Sequence, residues 1–241
     1  MRIRPLAAVV SLSLALAAAP AIADEDIDKV FGGITAEAGR DYGSLSSVNG
    51  GITIREGATV RQAETVNGGI KIEDRASVGD AETVNGSIRL GQGASARSIE
   101  AVNGAVKLGR DARVANDVEI VNGAVRTEAG VVIGGDVENV NGAIHLDRAE
   151  VAGHVLTVNG DITLDAATVR GGLRVEKPNR SWWSSSNKRL PRIVIGAGSV
   201  VGGEMVFEHE VELYVHPDAK VGKQSGVSPR MIDSPDAPRQ E

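Results

Sequence analysis

Four carboxylates occupy one position of a recurring pattern in this chain: Glu73, Glu128, Asp147 and Asp165. Stacked above one another, they would form a cluster able to share protons and to supply the acid and base of glycosidic-bond cleavage. His145, His154, His209 and His216 lack metal-ligand spacing, and there is no Cys to offer a thiolate. Glu208, His209 and Glu210 stand together in "FEHEVELYVH", which suits a charged outer strand at least as well as a reactive imidazole. Gly-rich phosphate loops, Ser-centred elbows and His-Glu-x-x-His do not occur. Catalytic, cofactor-binding and metal-binding residues are therefore not assigned, and no cofactor is expected. Trp182 and Trp183 remain as a distinctive pair inside "KPNRSWWSSSNKRLP". They are read either as a loop packing back on the body or as an exposed contact site.

What would position these residues is a repeat. Val-Asn-Gly recurs with its Asn at 49, 67, 85, 103, 122, 141 and 159, in steps of 18, 18, 18, 19, 19 and 18. One further step back from Asn49 reaches Phe31, in "KVFGGIT". Eight units then cover residues 31–176, and a fixed period of this length signals a solenoid. Counting the Asn as first, the fourth and sixth places are apolar: Ile52/Ile54, Ile70/Ile72, Ile88/Leu90, Val106/Leu108, Ile144/Leu146 and Ile162/Leu164. Ala58/Val60, Ala76/Val78, Ala112/Val114 and Val131/Ile133 follow on the next stretch. Alternation of two means strands with one buried face, not helices, and recurrent Gly would break a helix. Three short strands per unit cannot bury a core alone. Stacked in parallel about 4.8 Å apart, they can. The fold class is all-β, a single-stranded parallel β-helix of about 18-residue coils.

In that stack the Asn-Gly pair is expected to turn a corner through positive φ. The side chains of Asn49, Asn67, Asn85, Asn103, Asn122, Asn141 and Asn159 form a structural ladder of amide hydrogen bonds. Phe31, in the same column, is expected to plug its end. Glu64, Glu82, Glu100, Glu119 and Glu138 lie three residues before their Asn, and Lys71, Arg89, Lys107, Arg126 and His145 four after. Both columns are expected to face outward, flanking one corner as a charge-balanced surface. The sharper alternative is a basic stripe for an anionic polysaccharide or lipopolysaccharide.

The two ends differ from the coils. Residues 1–23 have Arg2 and Arg4, an apolar run and Ala21-Ile22-Ala23, the pattern of a cleaved signal peptide. Cleavage would leave no transmembrane segment and an exported protein, periplasmic or at the cell surface. Removing Arg2 and Arg4 from 26 Lys and Arg leaves 24 against 32 Asp and Glu. An acidic chain of this kind argues against nucleic acid as a partner. Residues 24–30 are read as an N-terminal cap segment and 177–191 as the Trp-containing loop insertion. Residues 192–222 hold closing coils, in which "RIVIGAGSVVGG" and "ELYVHPDAKVGK" echo each other 20 residues apart. Residues 223–241, with Pro229, Pro235 and Pro238, are read as a disordered tail.

The short alternating coil and "IVIGAGSVVGG" resemble the bactofilin group of polymer-forming bacterial β-helices. The repeated "TVNG-x-I" is similar to repeats of secreted bacterial adhesin-type β-helix proteins. The resemblance covers about 31–222 and implies a right-handed coil that joins end to end; bactofilins are typically cytoplasmic, whereas this chain carries an export signal. Neither group supplies catalytic residues. The expected role is a non-catalytic structural or adhesin-like element of the cell envelope. Its expected partners are a second copy met through the coil ends, and an envelope polysaccharide or surface component. The alternatives are a polysaccharide-binding or polysaccharide-modifying β-helix, or a hexapeptide-type acyltransferase. For the last, Ile54, Val60 and Val66 lie six apart, but Glu64 would then point inward and the 19-residue units break the phase.

Overall fold

The structure, a computed structural model, describes residues 25–178 and 189–236. The segment read as a signal peptide and the pair Trp182 and Trp183 lie outside the described residues. Every strand pairing among them is parallel, and the strands form two sheets of 17 and 11. Each coil contributes one short strand to the smaller sheet, so the described residues make eleven turns. Eight are the repeats. Three follow them, at Arg192–Ile195, Glu212–Val215 and Arg230–Met231.

Residues stack at the repeat spacing. In the smaller sheet Ile34, Ile52, Ile70, Ile88, Val106, Val125, Ile144, Ile162, Ile193 and Leu213 make one continuous register column. All ten are at most 1% exposed. Parallel pairing in register places each branched side chain on its equivalent, so the core is a set of apolar columns along the axis. Inward polar places are filled too. Thr65 and Thr83 are buried, and their hydroxyls donate to the carbonyls of Gly50 and Gly68 at 2.8 and 2.9 Å. Asn139, in the same column, donates to the Gly123 carbonyl at 2.9 Å. Thr65 and Thr83 of "TVNG" are therefore inward hydroxyls that hold the corner carbonyl of the preceding coil, whereas Thr157 accepts from the Gly160 amide at 2.8 Å.

Four expectations need correction. The cap segment expected over 24–30 is not separate from the coils: Glu25–Phe31 is a strand paired in parallel with Asp41–Asn49. In the first complete coils two of the three expected strands merge into nine-residue strands such as Ser95–Asn103. These divide where the 19-residue units begin, because the extra residue enters between Val114 and Val118, whose partners are Ala96 and Ile99. Phe31 does pair in register with Asn49, but its ring is 78% exposed and plugs nothing. The disordered tail expected over 223–241 is paired in its first part. Gln224–Gly226 pairs with Met205–Phe207 and Arg230–Met231 with Glu212–Leu213, adding a partial coil that Pro content concealed.

Candidate functional surfaces

The Asn column is a hydrogen-bonded ladder. Each Asn from 67 to 159 donates its Nδ2 to Oδ1 of the Asn one coil earlier, at 2.9 to 3.1 Å. Asn49 ends it with a long bond of 3.4 Å to the Val30 carbonyl. The ladder runs along the surface rather than inside, since most of its members are exposed. None of the seven Asn has positive φ. The positive φ falls on Gly instead, at Gly104, Gly123 and Gly142 (+156°, +158° and +127°), and Gly also makes room: a Cβ on Gly104 would lie 1.7 Å from the Gly86 carbonyl oxygen, and one on Gly86 1.9 Å from that of Gly68. Coils touch backbone to backbone there, and only Gly fits.

At the carboxylate position, cations engage Glu73 and Asp147. Asp147 and Asp165 are register partners. Both nitrogens of a fork from Arg148 reach Asp147 at 3.0 Å, and this hydrogen-bonded guanidinium holds its carboxyl below the usual range. Glu73 is likewise lowered, first by its bond from Lys71 at 2.8 Å. Carboxyls held ionised lack the proton that a general acid must give. Other aspartates cap backbone: Asp74, Asp117 and Asp136 accept from the amides of Gln92, Asp136 and His154 at 2.8, 2.8 and 2.6 Å. The histidines are dispersed. His209 Nε2 lies 3.0 Å from the Val158 carbonyl oxygen, and His216 Nδ1 accepts from the Asp218 amide at 3.1 Å. No three metal-ligating side chains converge among the described residues. Val66, inward in a hexapeptide coil, takes the outward place after buried Thr65 here.

The glutamate column behaves differently. Glu64, Glu82, Glu100, Glu119 and Glu138 are successive register partners on the larger sheet. Val66, Val84, Val102, Val121 and Val140 take the next outward place, so each carboxylate stands beside an apolar column. Partial burial raises the carboxyls of Glu82 and Glu138 to about 7, with Glu64 and Glu100 adding repulsion at the first and Glu119 and Asp136 at the second. Burial also raises Glu100. The basic column lies on the smaller sheet, and among the described residues it forms no ion pair with Glu82, Glu100 or Glu138. The expected charge-balanced surface is thus two separate stripes of like charge.

This gives a pH dependence with a definite sign. A carboxyl raised in the fold contributes stability that is complete below its unfolded value near 4.5 and lost as pH rises through about 7. The melting temperature should therefore be higher near pH 5 than near pH 8.5. These groups are half exposed, so solvent screening reduces each contribution to about 1 kcal/mol, or roughly 2–4 °C. Glu82→Gln with Glu138→Gln should stabilise at the alkaline end and flatten the profile. Thermal melts across that range check this, and a profile that rises with pH would contradict it.

Comparison of the chain with protein-family models, curated proteins and solved structures finds no match. The fold is what stands: a parallel β-solenoid with an Asn ladder. No helix among the described residues is long and apolar enough to cross a membrane.

Proposed function

We propose that the protein is an exported, non-catalytic structural or adhesin-like β-helix of the bacterial cell envelope that associates through its coil ends. The observation that carries this reading is where apolar surface remains exposed. At one end Val30 and Phe31 are 58% and 78% exposed; at the other, Val221, Val227 and Met231 are 38%, 43% and 60%. Between them only Val140, at 36%, is a large exposed hydrophobic among the described residues. Both ends also carry strands paired on one side only, Glu25–Phe31 and Ile34–Ala36 at the first, Gln224–Gly226 and Arg230–Met231 at the last. A strand edge beside an apolar patch recruits another chain. The leader-like residues 1–23 support export, and the likeness of "TVNG-x-I" to adhesin-type repeats supports the envelope role.

Glu25, Asp26 and Asp28 load the first edge with negative charge, although Arg40 and Arg61 pair with Glu25 and Asp26 at 3.1 and 3.7 Å. End association should accordingly strengthen as salt screens that charge. Phe31→Asp combined with Met231→Asp should abolish the salt-promoted species. Light scattering and electron microscopy read the result. Assembly that ignores both substitutions would overturn the role of the ends.

A further inference from the structure

Strands Ile70–Ile72, Ile88–Leu90, Val106–Leu108 and Val125–Thr127 each have two inward residues and one outward. The outward residues are Lys71, Arg89, Lys107 and Arg126, all exposed and stacked in register, with His145 next in the row. Their Cα atoms repeat about every 4.8 Å. Like charges directly opposite on paired strands destabilise a sheet. Lys71 has Glu73 at 2.8 Å, but no carboxylate among the described residues pairs with Arg89, Lys107 or Arg126. The row stops at Thr53 on one side and Thr163 on the other.

The larger sheet carries the complementary pattern over the same coils. Its glutamate column has the same five members' length, and each basic-row residue follows its glutamate by seven positions. This column ends at Ser46 and Leu156, one coil beyond each terminal Glu. Row and column therefore begin and end together and share one pitch, the rise of the coil. They lie on different sheets, so the row and the column do not neutralise each other. Any two copies of this rod laid side by side have identical spacing, so every pair along the stripe can be met at once. A foreign polyanion would match only by coincidence of repeat length.

We propose that a second copy of this chain docks on the row Lys71, Arg89, Lys107 and Arg126 through the carboxylates Glu64, Glu82, Glu100 and Glu138 of its own column. Exposed ion pairs are weak singly and gain weight as a network, so this lateral contact is strongest at low salt. The contact joins unlike faces, so it closes into a ring or propagates as a row of rods. Its salt dependence is opposite to that of end association.

The test uses the full mature chain carrying Phe31→Asp and Met231→Asp, so that end contacts do not contribute. Sedimentation and light scattering near pH 8 compare about 10 mM salt, where screening reaches roughly 30 Å, with about 1 M, where it reaches roughly 3 Å. The expected mass is roughly twofold the monomer or more at low salt, falling to monomer at high salt. Lys71→Glu, Arg89→Glu, Lys107→Glu and Arg126→Glu together should give a monomer. Glu64→Lys, Glu82→Lys, Glu100→Lys and Glu138→Lys together should do the same. Mixing the two reversed chains should restore association. Should either reversed chain fail to fold by circular dichroism, Arg89→Gln with Lys107→Gln should still weaken low-salt association severalfold. A parent that stays monomeric at low salt overturns the proposal, as does association that survives reversal or neutralisation. Binding of an oligouronate to the row without self-association also overturns it and reassigns the row to an anionic polysaccharide.

Discussion

Glu212→Ala is expected to destabilise the C-terminal coils by about 3–5 kcal/mol, the effect of leaving a buried cation without its partner. Glu212 and Arg192 are register partners on adjacent coils, and their side chains are only 5% and 9% exposed. Arg192 Nε donates to Glu212 Oε2 at 2.8 Å and Nη2 lies 2.7 Å from the same oxygen. Nη1 donates to the Pro235 carbonyl at 3.1 Å, so one guanidinium ties the closing coil to the segment that follows it. Each coil of a solenoid contacts only its neighbours, and damage there should stay local. Limited proteolysis of Glu212→Ala should cut after Arg192 while the coils from Ile34 to Leu164 persist. Arg192→Met with Glu212→Leu should recover most of the loss, because an apolar pair of similar volume leaves no charge buried. Stability of Glu212→Ala within about 0.5 kcal/mol of the parent would contradict the buried pair.

Gly104→Ala is expected to cost about 3 kcal/mol or more, at the severe end of overpacking, because its neighbour is backbone and cannot rotate away. The methyl would sit 1.7 Å from the Gly86 carbonyl oxygen in the middle of the stack. Gly57→Ala is the control: φ there is +67° with open space around it, so only the backbone strain of roughly 1–2 kcal/mol applies. Asn103→Ala loses two ladder bonds of 3.1 Å, but at an exposed place, and should cost about 1 kcal/mol. Asn49→Ala should cost less, having one ladder bond and the long contact to Val30. Denaturant melts give the ranking, and a Gly104→Ala as mild as Gly57→Ala would refute the close approach of the coils.

The ladder and the core columns were legible because a β-solenoid converts sequence period directly into spatial neighbours. Asn67 and Asn85 are eighteen apart and bonded at 3.0 Å, and Ile52, Ile70 and Ile88 stack as their spacing demands. What depended on depth or on neighbouring faces was not legible. Glu212 reads as one of three outward glutamates in "FEHEVEL", and only its register with Arg192 makes it a buried ion. The Gly of Val-Asn-Gly reads as a turn former, which holds at Gly104, Gly123 and Gly142, but its second role is steric and involves the preceding coil. The Glu and Lys/Arg columns are seven residues apart in sequence and looked mutually compensating. They do flank one corner as expected, on the two sheets, but that the basic row forms no ion pair with Glu82, Glu100 or Glu138 among the described residues is not carried by spacing along the chain. The strand at Arg230–Met231 was hidden because two residues are too few for any alternation to show.

The proposed role stands or falls on where the chain resides and in what form. Cells should be fractionated, and the protein recovered from each fraction should be sequenced from its N-terminus. An envelope rod predicts a chain beginning at Asp24, found outside the cytoplasm and crosslinked in intact cells to a second copy or to an envelope component. A chain that retains Met1 and fractionates with the cytoplasm would contradict it.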